Sequence, residues 1–143
     1  MDQLTLQGTV VIPGEIRGIA LVSNEPLSFW GGYDWKTGEI IDRRHMLSRS
    51  IAAGKILAVP FTRGSSTTTA VLLEAIRAGT APAAILTTGA DFFFALASVV
   101  ADELYASPLP LVALSEDDFA RLHTDDEIQI MKDGRVVIHR AKP

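Results

Sequence analysis

The sequence contains no cysteine. That absence excludes disulfides, thiolate nucleophiles, zinc ribbons and any iron–sulfur cluster held by the chain's own side chains. A basic run is missing as well: 13 Lys and Arg stand against 17 Asp and Glu, for a net charge of -4. Without clustered cations to displace counterions from a phosphate backbone, nucleic acid is not an expected partner. Long apolar runs are also absent. Stretches such as Phe92 to Ala101 fall far short of the ~20 residues that span a bilayer. The start "MDQLTLQGTV" lacks the basic head and apolar core of a signal peptide. The expectation is a cytoplasmic protein with no membrane partner.

What is present is ample core material. Of 143 residues, 48% are hydrophobic and 21% charged, a balance that disfavours disorder and suits one compact domain over residues 1–143. "LTLQGTVVIPGEIRGIALVS" alternates aliphatic residues with Gly and Pro punctuation and reads as two or three short strands. "NEPLSFWGGYDWKTGEIIDRRHMLSRSIAAGK" breaks that pattern. It is long, irregular and aromatic-rich, with a turn at "KTGE" before a short "EII" strand, and such a segment in a small domain is expected to be functional or covered by a partner.

From Lys55 the pattern sharpens. "KILAVPF" reads as a buried strand, "RGSS" as a turn, and Thr67 to Arg77 as a helix with Leu72, Leu73 and Ile76 on one side, ended by Gly79. "APAAILTT" gives a second strand, Asp91 caps a helix through "FFFALASVVADEL", and "SPLPLVAL" gives a third strand with its prolines at the entry. Strands alternating with helices imply crossovers and a parallel sheet. Ser115 with an acid three residues on is a capping box, and "EIQIMKDGRVVIHR" is a hairpin turning at Asp133-Gly134. The fold class is α/β, with β-rich ends flanking a β-α-β-α-β centre.

The densest chemistry lies in "PFTRGSSTTT", residues 60–69, where five hydroxyls follow Arg63 and Gly64. A helix N-terminus offers unpaired N–H groups and partial positive charge, glycine lets the backbone approach a ligand, and an arginine fork suits carboxylate or phosphate. The alternative is a capped helix that binds nothing. Other motifs fail. The residue two after either serine is threonine, so there is no G-x-S-x-G elbow. Gly54-Lys55 is followed by Ile56, with Arg49 at the upstream glycine position, so there is no P-loop. Asp42 and His45 beside Arg43 and Arg44 lack a third ligand, and the preferred reading there is a solvated turn with a surface histidine. His123 and His139 carry no assignable role. Phe29 is expected in the core.

Three segments in order, "EPLSFWGGYDWKTGEIID", "GKILAVPFTRGSSTTTAVLLEAI" and "GTAPAAIL", resemble the small subunit, or swivel domain, of the aconitase X family. The resemblance runs from about Gly8 to Leu114. It implies a swivelling β/β/α domain and a hydro-lyase (dehydratase) active site shared with a large, cysteine-containing subunit. That subunit would hold an iron or iron–sulfur centre; this chain would bind no metal or cofactor itself. The family's base serine maps on Ser65, the first serine after Arg63-Gly64. Arg63, Gly64 and Ser66, with Ser28, Trp30, Gly31 and Gly32 of the S-F-W-G-G segment, would bind a small anionic hydroxy acid. Threonines 67 to 69 stand where smaller or more varied residues are expected, which bears on pocket size.

Two activities follow from the resemblance: dehydration of cis-3-hydroxy-L-proline to pyrroline-2-carboxylate, as in bacterial members, or the phosphomevalonate dehydratase activity of archaeal members. The modest charge content favours the first. A different class shares the swivelling fold, the mobile phosphohistidine carrier, in which His45 would be the carrier. No Thr-His pair of that kind precedes a helix here.

Overall fold

The computed structural model describes residues 2–63 and 67–140. Its order is β1 (Asp2–Gln7), β2 (Thr9–Ile12), β3 (Ile16–Val22), β4 (Tyr33–Asp34), β5 (Glu39–Ile40), β6 (Ile56–Ala58), α1 (Thr67–Ala78), β7 (Ala84–Thr87), α2 (Phe92–Tyr105), β8 (Leu111–Ala113), α3 (Glu116–Phe119), β9 (Glu127–Ile130) and β10 (Arg135–Arg140). The expected centre is β6-α1-β7-α2-β8, and its strands pair in parallel, with β3 added in parallel on the other side of β6. The fold is mixed α/β and strand-rich.

Eight strands form one sheet in the order β1-β10-β9-β3-β6-β7-β8-β2. Its two ends are successive pieces of one strand. β1 pairs antiparallel with β10, β2 pairs antiparallel with β8, and the chain changes partner at Gly8, whose N–H bonds the Gly134 carbonyl at 2.9 Å. The sheet therefore closes on itself, which removes its open edges. A Cβ at Gly8 would collide with the Val112 side chain and crowd the carbonyl oxygens of Ala113 and Gly134. Only glycine lets three strands meet there.

Side-chain alternation divides the core in two. Ile56, Ala58, Ala84, Leu86 and Val112 point into the closed sheet and meet the aliphatic side chains of β9 and β10. Leu57, Val59, Ile85 and Leu111 point outward to α1 and α2. Both faces of the central strands are covered, which is why they read as unbroken apolar runs. Leu72 and Ala75 of α1 and Phe94, Ala97 and Ala101 of α2 supply the helical side. Leu73, expected beside Leu72, is only half-buried. Asp91 caps α2, Ser115 caps α3, and β9 and β10 form the hairpin expected at Asp133-Gly134.

The long segment between β3 and β6 is built inward more than the sequence suggests. Leu27, Phe29, Tyr33, Ile40, Leu47 and Ala52 all belong to the outer core. Phe29 stacks on Tyr33 at 4.9 Å and meets Phe94 edge-on at 5.4 Å. The segment contains only the two-residue strands β4 and β5, because its rings fill a hydrophobic layer without a ladder. Among the described residues, no helix is long and apolar enough to cross a membrane.

Candidate functional site

Because β3, β6 and β7 run parallel, their exits lie at one end of the sheet, where parallel α/β folds place ligands. Three connections tie those exits together. After β3, Leu27 forms an isolated parallel bridge with Thr62, and the Leu27 carbonyl accepts from the Arg63 N–H at 3.0 Å. After β7, Thr88 donates to the Pro60 carbonyl through both N–H and Oγ1. Asp91 then closes the arrangement. Its Oδ2 accepts from the Thr62 N–H at 2.8 Å and from Thr62 Oγ1 at 2.9 Å, while its Oδ1 accepts from the N–H groups of Phe93 and Phe94. One carboxylate thus caps α2 and clasps the residue that leads into Arg63.

These ties bring Ser28 and Arg63 together in a cleft of about 480 Å³, lined also by Glu25, Pro26, Asp42, Arg43, Arg44 and His45. Arg43, Arg44 and Arg63 are exposed, and among the described residues none forms an ion pair within 4 Å; the recorded pairs involve Arg17, His45, Arg77, Arg135 and Arg140. Three guanidinium groups around a concave surface suit an anion. Asp42 shapes the wall, its Oδ1 accepting from the Arg44 N–H at 3.0 Å and its carbonyl from the His45 N–H at 3.1 Å.

His45 corrects the expectation of a surface histidine on a solvated turn, because it is 7% exposed. Nδ1 accepts from the Leu47 N–H at 3.1 Å, which leaves the proton on Nε2, 3.4 Å from Ser23 Oγ and 4.0 Å from Glu25 Oε2. Both ring nitrogens are engaged within the wall of the cleft. A phosphoryl carrier needs an accessible nitrogen, so the carrier reading fails on geometry.

The S-F-W-G-G segment divides by side chain. Ser28 lines the cleft and its Oγ donates to the Trp30 carbonyl at 3.2 Å. Trp30, 71% exposed, is not among the residues lining it. Gly31 has φ +74°, a left-handed conformation that favours glycine, and a Cβ on Gly32 would collide with the Ser28 carbonyl. These two glycines turn the chain so that Phe29 enters the core and Trp30 leaves it. Tyr33 ends the turn buried, its hydroxyl donating to the Thr80 carbonyl at 2.7 Å, and burial pushes its phenol well above the ordinary value. Of the rings in this aromatic-rich segment, Trp30 is therefore the one that chiefly faces outward.

Gly64, Ser65 and Ser66 lie outside the described residues. The helix that follows them starts at Thr67 and has no acidic residue in its first turn. Sequence reasoning missed Arg43 and Arg44, and the available signal was their position next to an Asx turn at Asp42. Among the described residues, no group of three His, Asp or Glu side chains is arranged to hold a metal ion.

Comparisons with known proteins give the family. The aconitase X swivel domain model matches residues 5–138. The chain is 42% identical over 135 residues to cis-3-hydroxy-L-proline dehydratase of Pseudomonas aeruginosa, covering 93% of this chain and 23% of that protein. It is 35% identical over 125 residues to the phosphomevalonate dehydratase small subunit of Methanothermobacter thermautotrophicus, covering 87% of this chain and 91% of that one. The crystal structure of Thermococcus kodakaraensis aconitase X in its holo form matches with a TM-score of 0.85 at 29% identity, over 96% of this chain and 99% of that chain. The chain spans about a quarter of the bacterial relative and nearly all of the archaeal small subunit. With most of its length matched by the family model and by both kinds of relative, the chain belongs to the aconitase X swivel domain family.

Proposed function

We propose that residues 1–143 act as one swivel domain, the small subunit of a heteromeric hydro-lyase, and that the substrate is cis-3-hydroxy-L-proline. The observation that carries this reading is the cleft at the strand exits, where Arg63, first residue of the family's R-G-S-S motif, meets Ser28, Arg43 and Arg44. The 42% identity to a cis-3-hydroxy-L-proline dehydratase supports the choice of substrate.

In this reading Ser65 removes the proton from the carbon bearing the carboxylate. A serine hydroxyl is a very weak acid, so its alkoxide must be stabilised. The N-terminus of α1 supplies roughly half a positive charge next to it, and Arg63, Arg43 and Arg44 add field of the same sign. Ser66, Gly64 and Ser28 would orient the carboxylate, and Gly31 and Gly32 would act through the turn that sets Ser28 in the cleft wall, with Trp30 outside it. The Ser65 alkoxide takes that proton as the ring hydroxyl departs as hydroxide. The proton is then returned from Ser65 to the hydroxide to release water and restore the alkoxide, and the enamine tautomerises to pyrroline-2-carboxylate.

This chain has no cysteine, and its described side chains offer no metal cluster of their own. We place the iron or iron–sulfur centre that would draw off the hydroxyl on a large, cysteine-containing subunit, as the family resemblance implies. A second reading, phosphomevalonate as substrate, is favoured by the near-complete match to an archaeal small subunit and by three guanidinium groups, more than one carboxylate needs.

Co-expression with the aconitase X large subunit of the same organism, followed by assay on both substrates, tests the proposal. Formation of pyrroline-2-carboxylate from cis-3-hydroxy-L-proline supports the first reading, and turnover of phosphomevalonate alone replaces it with the second. Dehydration by the isolated chain, without partner or iron, would overturn the division of labour.

A further inference from the structure

The two helices covering the sheet differ on their outer faces. α1 carries Ala70, Glu74 and Arg77 at spacings of i, i+4 and i+7, with Glu74 and Arg77 ion-paired at 2.7 Å. At the same spacing α2 carries Phe92, Leu96 and Val99, exposed to 70%, 39% and 55%. The inner face of α2 is apolar too, through Phe94, Ala97 and Ala101. A helix apolar all round is a buried helix, and an exposed contiguous stripe of this kind marks an interface.

We infer that the Phe92-Leu96-Val99 stripe of α2 is the docking surface for the large subunit of the proposed dehydratase; the inference rests on that reading of function. Position selects this occupant. The stripe begins one residue after Asp91, the carboxylate that clasps Thr62 just before the R-G-S-S motif. Phe61, on the other side of the clasp, is also exposed. A partner that completes the reaction must reach the cleft that Arg63 lines, and a partner seated on the stripe is carried towards it. A second copy of this chain would bring no new chemistry. Relatives supply the size of the occupant: this chain matches 23% of the bacterial dehydratase, so most of that protein lies outside the domain. The only charged residues of α2, Asp102 and Glu103, stand at its far end and give the patch an acidic rim.

The test is assembly of the full chain with the co-expressed large subunit, measured by analytical ultracentrifugation and by dehydratase activity. Leu96→Glu/Val99→Glu should weaken assembly at least tenfold while circular dichroism and melting of the isolated chain stay close to wild type. Val99→Glu alone, at a position more than half exposed, should weaken it in the same direction without risk to the fold. Ala78→Glu on α1 should leave assembly unchanged. Normal assembly of both α2 variants with an active wild-type control would overturn the inference and leave the dehydratase reading intact. Self-association of the isolated chain that Val99→Glu abolishes, with heteromeric assembly unaffected, would also overturn it. Failure of the wild-type chain to assemble with the large subunit would overturn both.

Discussion

The two ends of the parallel strands are built from different residues. At the exits of β3, β6 and β7 the cleft is lined by Glu25, Asp42, Arg43, Arg44, His45 and Arg63. At the entries of β7 and β8 a smaller cleft, about 230 Å³, is lined by residues such as Ile76, Ala81, Pro82, Pro108 and Leu109, and its lining includes no ionisable side chain. Both clefts border the same sheet. The difference lies in how the chain travels: it enters β7 and β8 through short turns braced by proline, and leaves β3 and β6 through longer connections that can hold charge without disturbing the core. The exit end also contains its own contrast. Arg140 forms a bidentate pair with Asp126 at 2.8 Å and a further bond to the Arg121 carbonyl, whereas Arg43, Arg44 and Arg63 face the cleft.

The largest expected effect comes from Ser65→Ala at the exit end. In the assembled enzyme, turnover should fall at least ~10²-fold, the lower end for losing an acid–base group, with assembly and substrate affinity near wild type. A variant that melts earlier, by the ~1 kcal/mol a lost cap costs, yet turns over normally would reduce the hydroxyl cluster to helix capping. Arg63→Ala ranks next. A charge-assisted hydrogen bond to an anion contributes about 1.5–3 kcal/mol, so the Michaelis constant should rise about 10- to 150-fold with a smaller change in kcat. An unchanged Michaelis constant would erase the functional contrast between the two ends.

Arg140→Ala probes the paired arginine and should act on stability alone, lowering it by about 2 kcal/mol at pH 7. Burial of Asp126 pushes its carboxyl up, but the Arg140 bonds and charge, with the His123 N–H, outweigh that and hold it below the usual carboxylate range. A depressed carboxyl stabilises the fold above its unfolded-state pKa, ~3.9, and loses that contribution as pH falls through the folded value. Urea unfolding at pH 7 and pH 3 should therefore show a smaller pH-dependent loss for Arg140→Ala than for wild type. Equal losses would remove the pair as the cause.

The contrast between the ends was half visible in the sequence. "KILAV" and "APAAILTT" announce strands buried on both faces, and Asp91, Ser115 and Asp133-Gly134 mark their caps and turn by chemistry that acts within a few residues. Closure at Gly8 was not legible, because it depends on pairing with Gly134 and Ala113, more than a hundred residues away. Arg43 and Arg44 looked like a solvated turn because adjacent charges look alike whether they face water or a cleft. Only the Leu27–Thr62 bridge, which brings Arg63 beside Ser28, gives them a shared wall. His45 looked exposed for the same reason, and the bonds that bury it come from Leu47 and Ser23 after the loop has folded back. The roles of Ser65 and Ser66 rest on the family motif, since they lie outside the described residues.

The smallest expected effect is the sharpest test of what the uncharged end lacks. Ser107 is exposed, follows the left-handed cap residue Ala106 at the end of α2, and lines the smaller cleft. Ser107→Lys places a cation there without touching the core. Near a helix C-terminus a cation is favourable by about 0.3–1 kcal/mol, so melting should be unchanged or slightly higher. Turnover and the Michaelis constant should both stay at wild-type values. A charge in a cleft does not make a site: at the exit end three guanidinium groups share a wall with Ser28, whereas here a cation would meet proline, alanine and a helix C-terminus. If Ser107→Lys instead changed the Michaelis constant for the hydroxy acid, substrate would be reaching the entry end, and the assignment of the reaction to the strand exits would fail.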